Sequence, residues 1–564
     1  MKRTLVIGAI LAGLALIVFV FAQTPAGAPP DLARFVPTGP LLYVEAKDFG
    51  GLLNDWSNSE VKKLWLTSDN FQVFSRSRLY LKLEQAQTEF AAAAGVPPNM
   101  DLLANVAGNQ SALAIYDIGK LEFLYITRMP SDRFADGALW KTRGNYQPRQ
   151  SSGIDYYLKT DPASKRVAGF AVAKDFVVLA TREDVLAGAL ALIAGQTGSA
   201  VASEQWFAKS VQQTKSPGEL RMVMDLEKLT KSPHFRSYWI QQNITELAQY
   251  SAAIADVRRS EGSLVEDRVL LRSADVTPSW NEAAVGAISR LAPTSAGLYR
   301  AWASPTSDQA FELLRRQILQ PRPATQIAPK AAPVVVLGDG AVGDETDLET
   351  RIDEPPLEMG PADIGAELRT ILSNTKIDAM MDVGATRVQS DGVFVGTERG
   401  VVLLADSDWN ANAIRDAVGA ALAKQLSTVV HGAHWVDHGS GASAYSELDG
   451  LQPVALRANG RVLIIATSGD LMTAILSGLP AQPLMGARYR AAYRHSKELP
   501  NFVKMMRLID NPLAKEAAGN PPEPAFFSGN IASLGQTLVR IDSESIAVHD
   551  TGATVAQDLV YKLK

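Results

Sequence analysis

Apolar positions along this chain fall into strand-like runs and helix-like spacings, and one succession of the two occurs twice. Gly153-Ile154-Asp155-Tyr156-Tyr157 leads through an apolar run to Phe176-Val177-Val178-Leu179-Ala180-Thr181, then to a short apolar helix over 182–194 that Gly195 stops. Gly432-Ala433-His434-Trp435-Val436 leads likewise to Val462-Leu463-Ile464-Ile465-Ala466-Thr467 and a second short helix. Both times Ala-Thr-x-x-Asp joins strand to helix. The spacing predicts Thr181 and Thr467 as N-caps, with Asp184 and Asp470 at the positive end of the helix dipole.

The remaining pattern predicts a strand at Leu41–Glu45, a helix over 48–66, and a longer amphipathic helix on which Leu79, Leu83, Ala86, Phe90 and Ala93 recur at steps of four and three. Ser111–Tyr116 and Leu121–Thr127 read as a hairpin about Asp117-Ile118-Gly119-Lys120, followed by a helix over 131–141. Further on come a helix at 203–213, a strand at 220–224, a long helix over 234–259 and a strand at 263–272. The later part of the chain predicts a helix over 362–372, hairpin strands within 393–405 and a helix over 411–424. Asn459-Gly460 between two apolar runs is a type I′ hairpin signal, with Lys174-Asp175 at the corresponding turn.

Pro37 and Tyr43 stand 256 residues before Pro293 and Tyr299; Phe123 and Gly153 stand 279 before Val402 and Gly432; Thr181 stands 286 before Thr467. Spacings that hold within segments and grow between them are the trace of a duplicated domain with insertions. The expected organisation is a signal segment or membrane anchor at 1–30 and a first α+β copy at 31–280. A second copy follows at 281–564, interrupted by a Pro-rich, acidic flexible insertion over 320–363. The fold class is α+β, with antiparallel sheet hairpins and packed helices behind an N-terminal apolar helix.

The run Val36-Pro37-Thr38-Gly39-Pro40-Leu41-Leu42-Tyr43-Val44, the strand–Ala-Thr–helix unit and the apolar N-terminus together resemble a bacterial domain family of unknown function found in exported or membrane-anchored proteins. The resemblance covers most of 35–564. It implies a noncatalytic envelope protein and no cofactor or catalytic residue.

At 564 residues the chain is too long for one core. A net charge of −5 with no basic run excludes a general pull toward nucleic acid. Lys2-Arg3 before the uncharged stretch Thr4–Ala22 reads as an export signal, retained as an inner-membrane anchor or cleaved after Val20-Phe21-Ala22 to leave a periplasmic or secreted protein. The absence of cysteine excludes disulfides, thiol nucleophiles and cysteine-ligated metal.

Candidate chemistry is thin. Gly338-Asp339-Gly340-Ala341-Val342-Gly343 has dinucleotide-fingerprint spacing, but an acidic, Pro-containing segment follows it where a helix N-terminus is required. His431, His434 and His438 with Asp437 cluster within eight residues; on a strand His434 and His438 share a face, which makes them the candidate metal ligands, while His431 and Asp437 point away. In the repeat alignment Asp155 stands where His434 does. Gly439-Ser440-Gly441-Ala442-Ser443 lacks nucleophile-elbow spacing, and no Walker or His-Glu-x-x-His motif occurs. No catalytic residue and no cofactor is expected. These observations predict a noncatalytic extracytoplasmic protein that binds another protein or an envelope component, with the membrane as a partner through the N-terminal segment if that is uncleaved. The alternatives are a hydrolase with a site formed between the copies and a carrier of an apolar ligand, for which a large apolar pocket would be the mark.

Overall fold

The computed structural model describes residues 31–68, 71, 74–76, 78–214, 217–238, 241–320, 365–388, 395–426, 433–450, 452–500 and 541–564. The apolar segment 4–22, the glycine motif at 338–343, the acidic insertion and His431 lie outside these residues. Among the described residues no helix is long and apolar enough to cross a membrane.

The chain divides into two compact units, one of residues 1–276 with 552–556, the other of 277–551 with 557–564. In the first, the central strands carry apolar residues on both faces, so each face must be covered. Its strands are β1 (Leu42–Ala46), β2 (Ser111–Asp117), β3 (Glu122–Arg128), β4 (Gln147–Ser151), β5 (Ile154–Thr160), β6 (Val167–Ala173), β7 (Phe176–Ala180), β8 (Leu220–Asp225), β9 (Tyr250–Ser260) and β10 (Ser263–Arg272). Antiparallel pairings place them in the order β4-β5-β6-β7-β3-β2-β1-β8-β9-β10. Tyr43, Leu124, Ile126, Val178, Ala180, Val223 and Ile254 are buried on one face, with helices Glu183–Ile193 and Gln205–Gln212 in the same core. The other face carries helices Phe49–Asn58, Arg78–Ala94 and Met100–Val106.

The second unit holds β11 (Leu298–Ala303), β12 (Ile377–Val388), β13 (Val395–Ala405), β14 (His434–His438), β15 (Tyr445–Asp449), β16 (Val454–Asn459), β17 (Val462–Ala466), β18 (Tyr489–Arg494), β19 (Ile541–Asp550) and β20 (Thr554–Leu563), whose last residues belong to it. Its antiparallel ladder runs β14-β15-β16-β17-β13-β12-β11-β18-β19, and β20 pairs with β19. Two further cores cover its faces, one with helices Ser307–Leu314, Ala366–Ser373 and Ala411–Leu426, the other with Glu282–Ser289 and Gly469–Leu476. Mixed helix and antiparallel sheet is therefore the fold class, as the pattern predicts.

Several elements differ from the sequence reading. The predicted helix over 234–259 is two short helices, Pro233–Tyr238 and Gln241–Leu247, followed by β9. Ala252, Ala253, Ile254 and Ala255 carry no strict alternation because both faces of the strand are covered, and the alanines imitate a helix. The helix over 48–66 breaks at Ser59, whose hydroxyl caps the second piece by accepting from Lys62 N. The helix over 131–141 is likewise two pieces separated by Gly137. The expected hairpin within 393–405 is one strand, β13, paired with β12.

Neither threonine is an N-cap. Arg182 occupies that position in the first unit without a side-chain bond, and Ser468 does so in the second, accepting from Leu471 N at 3.1 Å. Instead each threonine ties down a strand: Phe123 N–H donates to Thr181 Oγ1 and Arg399 N–H donates to Thr467 Oγ1, both at 2.9 Å. In the second unit the residue in this contact is Arg399, while Val402 pairs with Ile464. The turn of the β16–β17 hairpin is centred on Gly460-Arg461, one residue later than expected. Asn459 still pairs with Val462, and positive φ occurs at Gly460, as at Lys174 in the β6–β7 turn.

Candidate functional site

The face of the first sheet that bears helices Arg78–Ala94 and Met100–Val106 is incompletely filled. A cavity of about 710 Å³ lies between them and the strands. From the sheet come Leu42 and Val44 of β1, Leu113 and Ile115 of β2, Phe123 and Tyr125 of β3, Leu179 of β7, Met222 of β8, and Ala255 and Val257 of β9. These are alternate residues of their strands, whereas Tyr43, Ala114, Leu124 and Val223 between them are buried on the opposite face. From the helices come Leu83, Ala86, Gln87 and Phe90, the i, i+3, i+4, i+7 stripe, together with Leu102, Leu103 and Val106.

The amphipathic pattern of the long helix is therefore real, but its apolar face meets empty space as well as side chains. Near its C-terminus Phe90, Ala93 and Ala94 join a packed cluster with Phe134, Phe170 and Val177. Toward its N-terminus Leu83 remains 45% exposed, as does Leu103 at 37%, so apolar side chains rim the cavity.

The cavity's polar atoms are mostly satisfied by the protein. Tyr125 OH donates to Val106 O at 2.8 Å, and Ser111 Oγ lies 2.7 Å from Thr127 Oγ1. Thr181 accepts from Phe123, Gln87 Nε2 donates to Pro98 O at 3.2 Å, and the buried Glu266 is ion-paired with Arg268. Arg166 differs. Its Nε donates to Glu89 Oε2 at 2.8 Å, but Nη1 and Nη2 have no partner among the described residues.

The sequence-predicted candidates lie elsewhere. His434 and His438 occupy the two ends of β14, roughly 13 Å apart at about 3.3 Å per residue. His434 Nε2 lies 3.8 Å from Asp449, and His438 stacks on Tyr445 with ring centroids 5.1 Å apart. Asp437 accepts from Ser446 Oγ at 2.6 Å. The structure does not bring the histidines together, and no group of three His, Asp or Glu side chains converges among the described residues. Asp155 and His434 occupy different positions in their ladders. His434 is on β14, an edge of its ladder like β4, whereas Asp155 is on β5.

A second, polar cleft of about 470 Å³ lies in the second unit, lined by Trp280, Glu282, Lys376, Asp378, His549 and Asp550 among others. Its carboxylates are engaged: Asp378 with Arg461 at 2.6 Å, Asp550 with Arg488, and Glu282 as acceptor from Asp550 N at 3.1 Å and 3.4 Å from His549 Nδ1. Arg488 also covers the Trp280 ring, 4.1 Å from its centroid.

No family model and no curated protein matches the chain. Among solved structures, crystal forms III, I and IV of TP0453 align with TM-scores of 0.24, 0.23 and 0.23 at 10, 12 and 10% identity. They cover 44, 44 and 43% of this chain and 84, 82 and 81% of TP0453.

Proposed function

We propose that this is a noncatalytic binding protein of the bacterial envelope, built from a duplicated domain, whose first copy holds an apolar envelope component. The cavity carries this reading: its volume is that of a small-molecule site, its walls are apolar, and nearly all its polar atoms are already hydrogen-bonded, so it offers burial and no reactive group. Duplication is supported by the matching ladder orders and by the two threonine–strand contacts. The envelope address rests on Lys2-Arg3 and the apolar stretch Thr4–Ala22, and an alkaline phosphatase fusion after residue 40 should be active if it is right.

The second copy differs at the matching rung. Counted from Tyr43 and Tyr299, Val44 opposite Leu113 and Met222 occupies the same rung as Arg300 opposite Asp382 and Ala491. Where the first unit exposes three apolar side chains to the cavity, the second places the ion pair of Arg300 with buried Asp382.

The test is direct. Extraction of the purified protein with organic solvent, followed by mass spectrometry, should release a long-chain compound. A fluorescent apolar probe should be displaced by such chains, and Ala86→Trp, which fills the cavity from the helix side, should weaken the probe at least tenfold. Saturable probe binding that Ala86→Trp leaves unchanged would place the ligand elsewhere.

A further inference from the structure

The cavity leaves one end of its ligand to be specified. Arg166 follows the tight turn 161–165, closed by Asp161 N donating to Arg166 O at 2.8 Å, and immediately precedes β6, whose first residue Val167 lines the cavity. The side chain lines the cavity and is 23% exposed, so it borders both the apolar interior and water. Glu89, one residue from Phe90 of the cavity stripe, holds Nε and fixes the plane of the fork. The two Nη groups remain as donors.

Two other charged side chains around the cavity have partners of their own. Lys159 Nζ donates to Ala92 O at 3.4 Å and lies 6.0 Å from the centre of the Tyr146 ring. Glu266, on the β10 side of the cavity, is closed against Arg268.

Resting on the binding function proposed above, we propose that the ligand is a long-chain amphiphile with an anionic oxygen head, carboxylate or phosphate, whose chain fills the cavity and whose head is met by Nη1 and Nη2 of Arg166. A guanidinium is always charged and presents parallel N–H donors that match two oxygens of such a head. Glu89 has a double effect: it orients the fork, and its negative charge, one residue position from the cavity wall, opposes the head. A long-chain alcohol would gain the same burial without the charge-assisted pair.

Three ligands of one chain length separate these contributions: oleate, a monooleoyl phosphate ester, and oleyl alcohol, each competed against a fluorescent apolar probe on the full chain. Wild-type protein should prefer at least one anionic ligand over the alcohol by on the order of tenfold to a hundredfold, and the tighter of the two names the head group. Arg166→Gln should abolish that preference while leaving the alcohol bound as before. Glu89→Gln, which removes the opposing charge and keeps a hydrogen-bond acceptor for Nε, should increase the preference. A preference that neither substitution moves, or no preference in the wild type, overturns the head-group assignment while the cavity stands. If none of the three ligands displaces the probe, the cavity itself is not the site.

Discussion

Glu45, half-buried, lies on β1 between the cavity-lining Val44 and Ala46 and faces away from the cavity, toward Tyr43, Gln110 and Asp31. Its carboxylate accepts from Gln110 Nε2 at 2.6 Å and from the Tyr43 hydroxyl, which also lies 3.4 Å from Asp31. Burial first, and then the charge of Asp31, push its pKa up from 4.5 to about 7. The folded chain therefore keeps a proton on Glu45 that the unfolded chain has released, and stability falls as pH rises through that window, levelling off above it. Glu45→Gln should be the more stable protein at pH 8, with the gap closing toward pH 4.5. A gap of equal size at both pH values would assign it to packing. At the edge formed by β14, replacing the exposed His434 by Ala should change stability by less than about 0.5 kcal/mol, and zinc should leave the melting temperature unmoved. The histidine cluster was conspicuous in sequence because the residues are neighbours there. Arg166 was not, because it acquires its meaning from Glu89, 77 positions away, and from a cavity that no local pattern encodes.

At the level of elements, periodicity located the cavity-lining helix and most strands of the first unit, since those patterns follow from which face is covered. It failed where both faces are covered, as in β9, and where a side chain has two local roles open to it, as at Thr181 and Thr467. A threonine ahead of a helix fits the cap position, but here each hydroxyl reaches a neighbouring strand, and that contact depends on pairing between β3 and β7 or between β13 and β17. Thr181→Val and Thr467→Val should each cost about 1–2 kcal/mol by leaving a strand N–H without its acceptor, and Thr→Ser should retain most of that stability. Denaturant titration of the four variants decides it: equal losses for Val and Ser would mean that the methyl group, and not the hydroxyl, matters. The half-buried apolar residues Leu113, Leu179 and Met222 were legible as strand residues, but whether their face meets a packed helix or a void depends on how closely the helix layer settles.

For the molecule as a whole, each unit has its own hydrophobic cores, so thermal unfolding should resolve into two transitions. A ligand bound in the cavity stabilises only the unit that contains it, by about 2.7 kcal/mol when its concentration is 100 times its dissociation constant. Oleate should accordingly raise one transition and leave the other in place. The comparison of ladders supplies a sharper form of this experiment. Val44→Arg with Leu113→Asp writes the Arg300–Asp382 rung of the second unit into the first, replacing two apolar walls by an ion pair that this ladder geometry accommodates elsewhere in the chain. Such a pair stabilises little when buried but fills the space and makes it polar. The double variant should therefore keep both transitions within a few degrees of wild type and lose the oleate-dependent shift. If the shift persists with the cavity so occupied, the ligand sits outside it; if the first transition disappears, the apolar wall serves the fold before it serves a ligand.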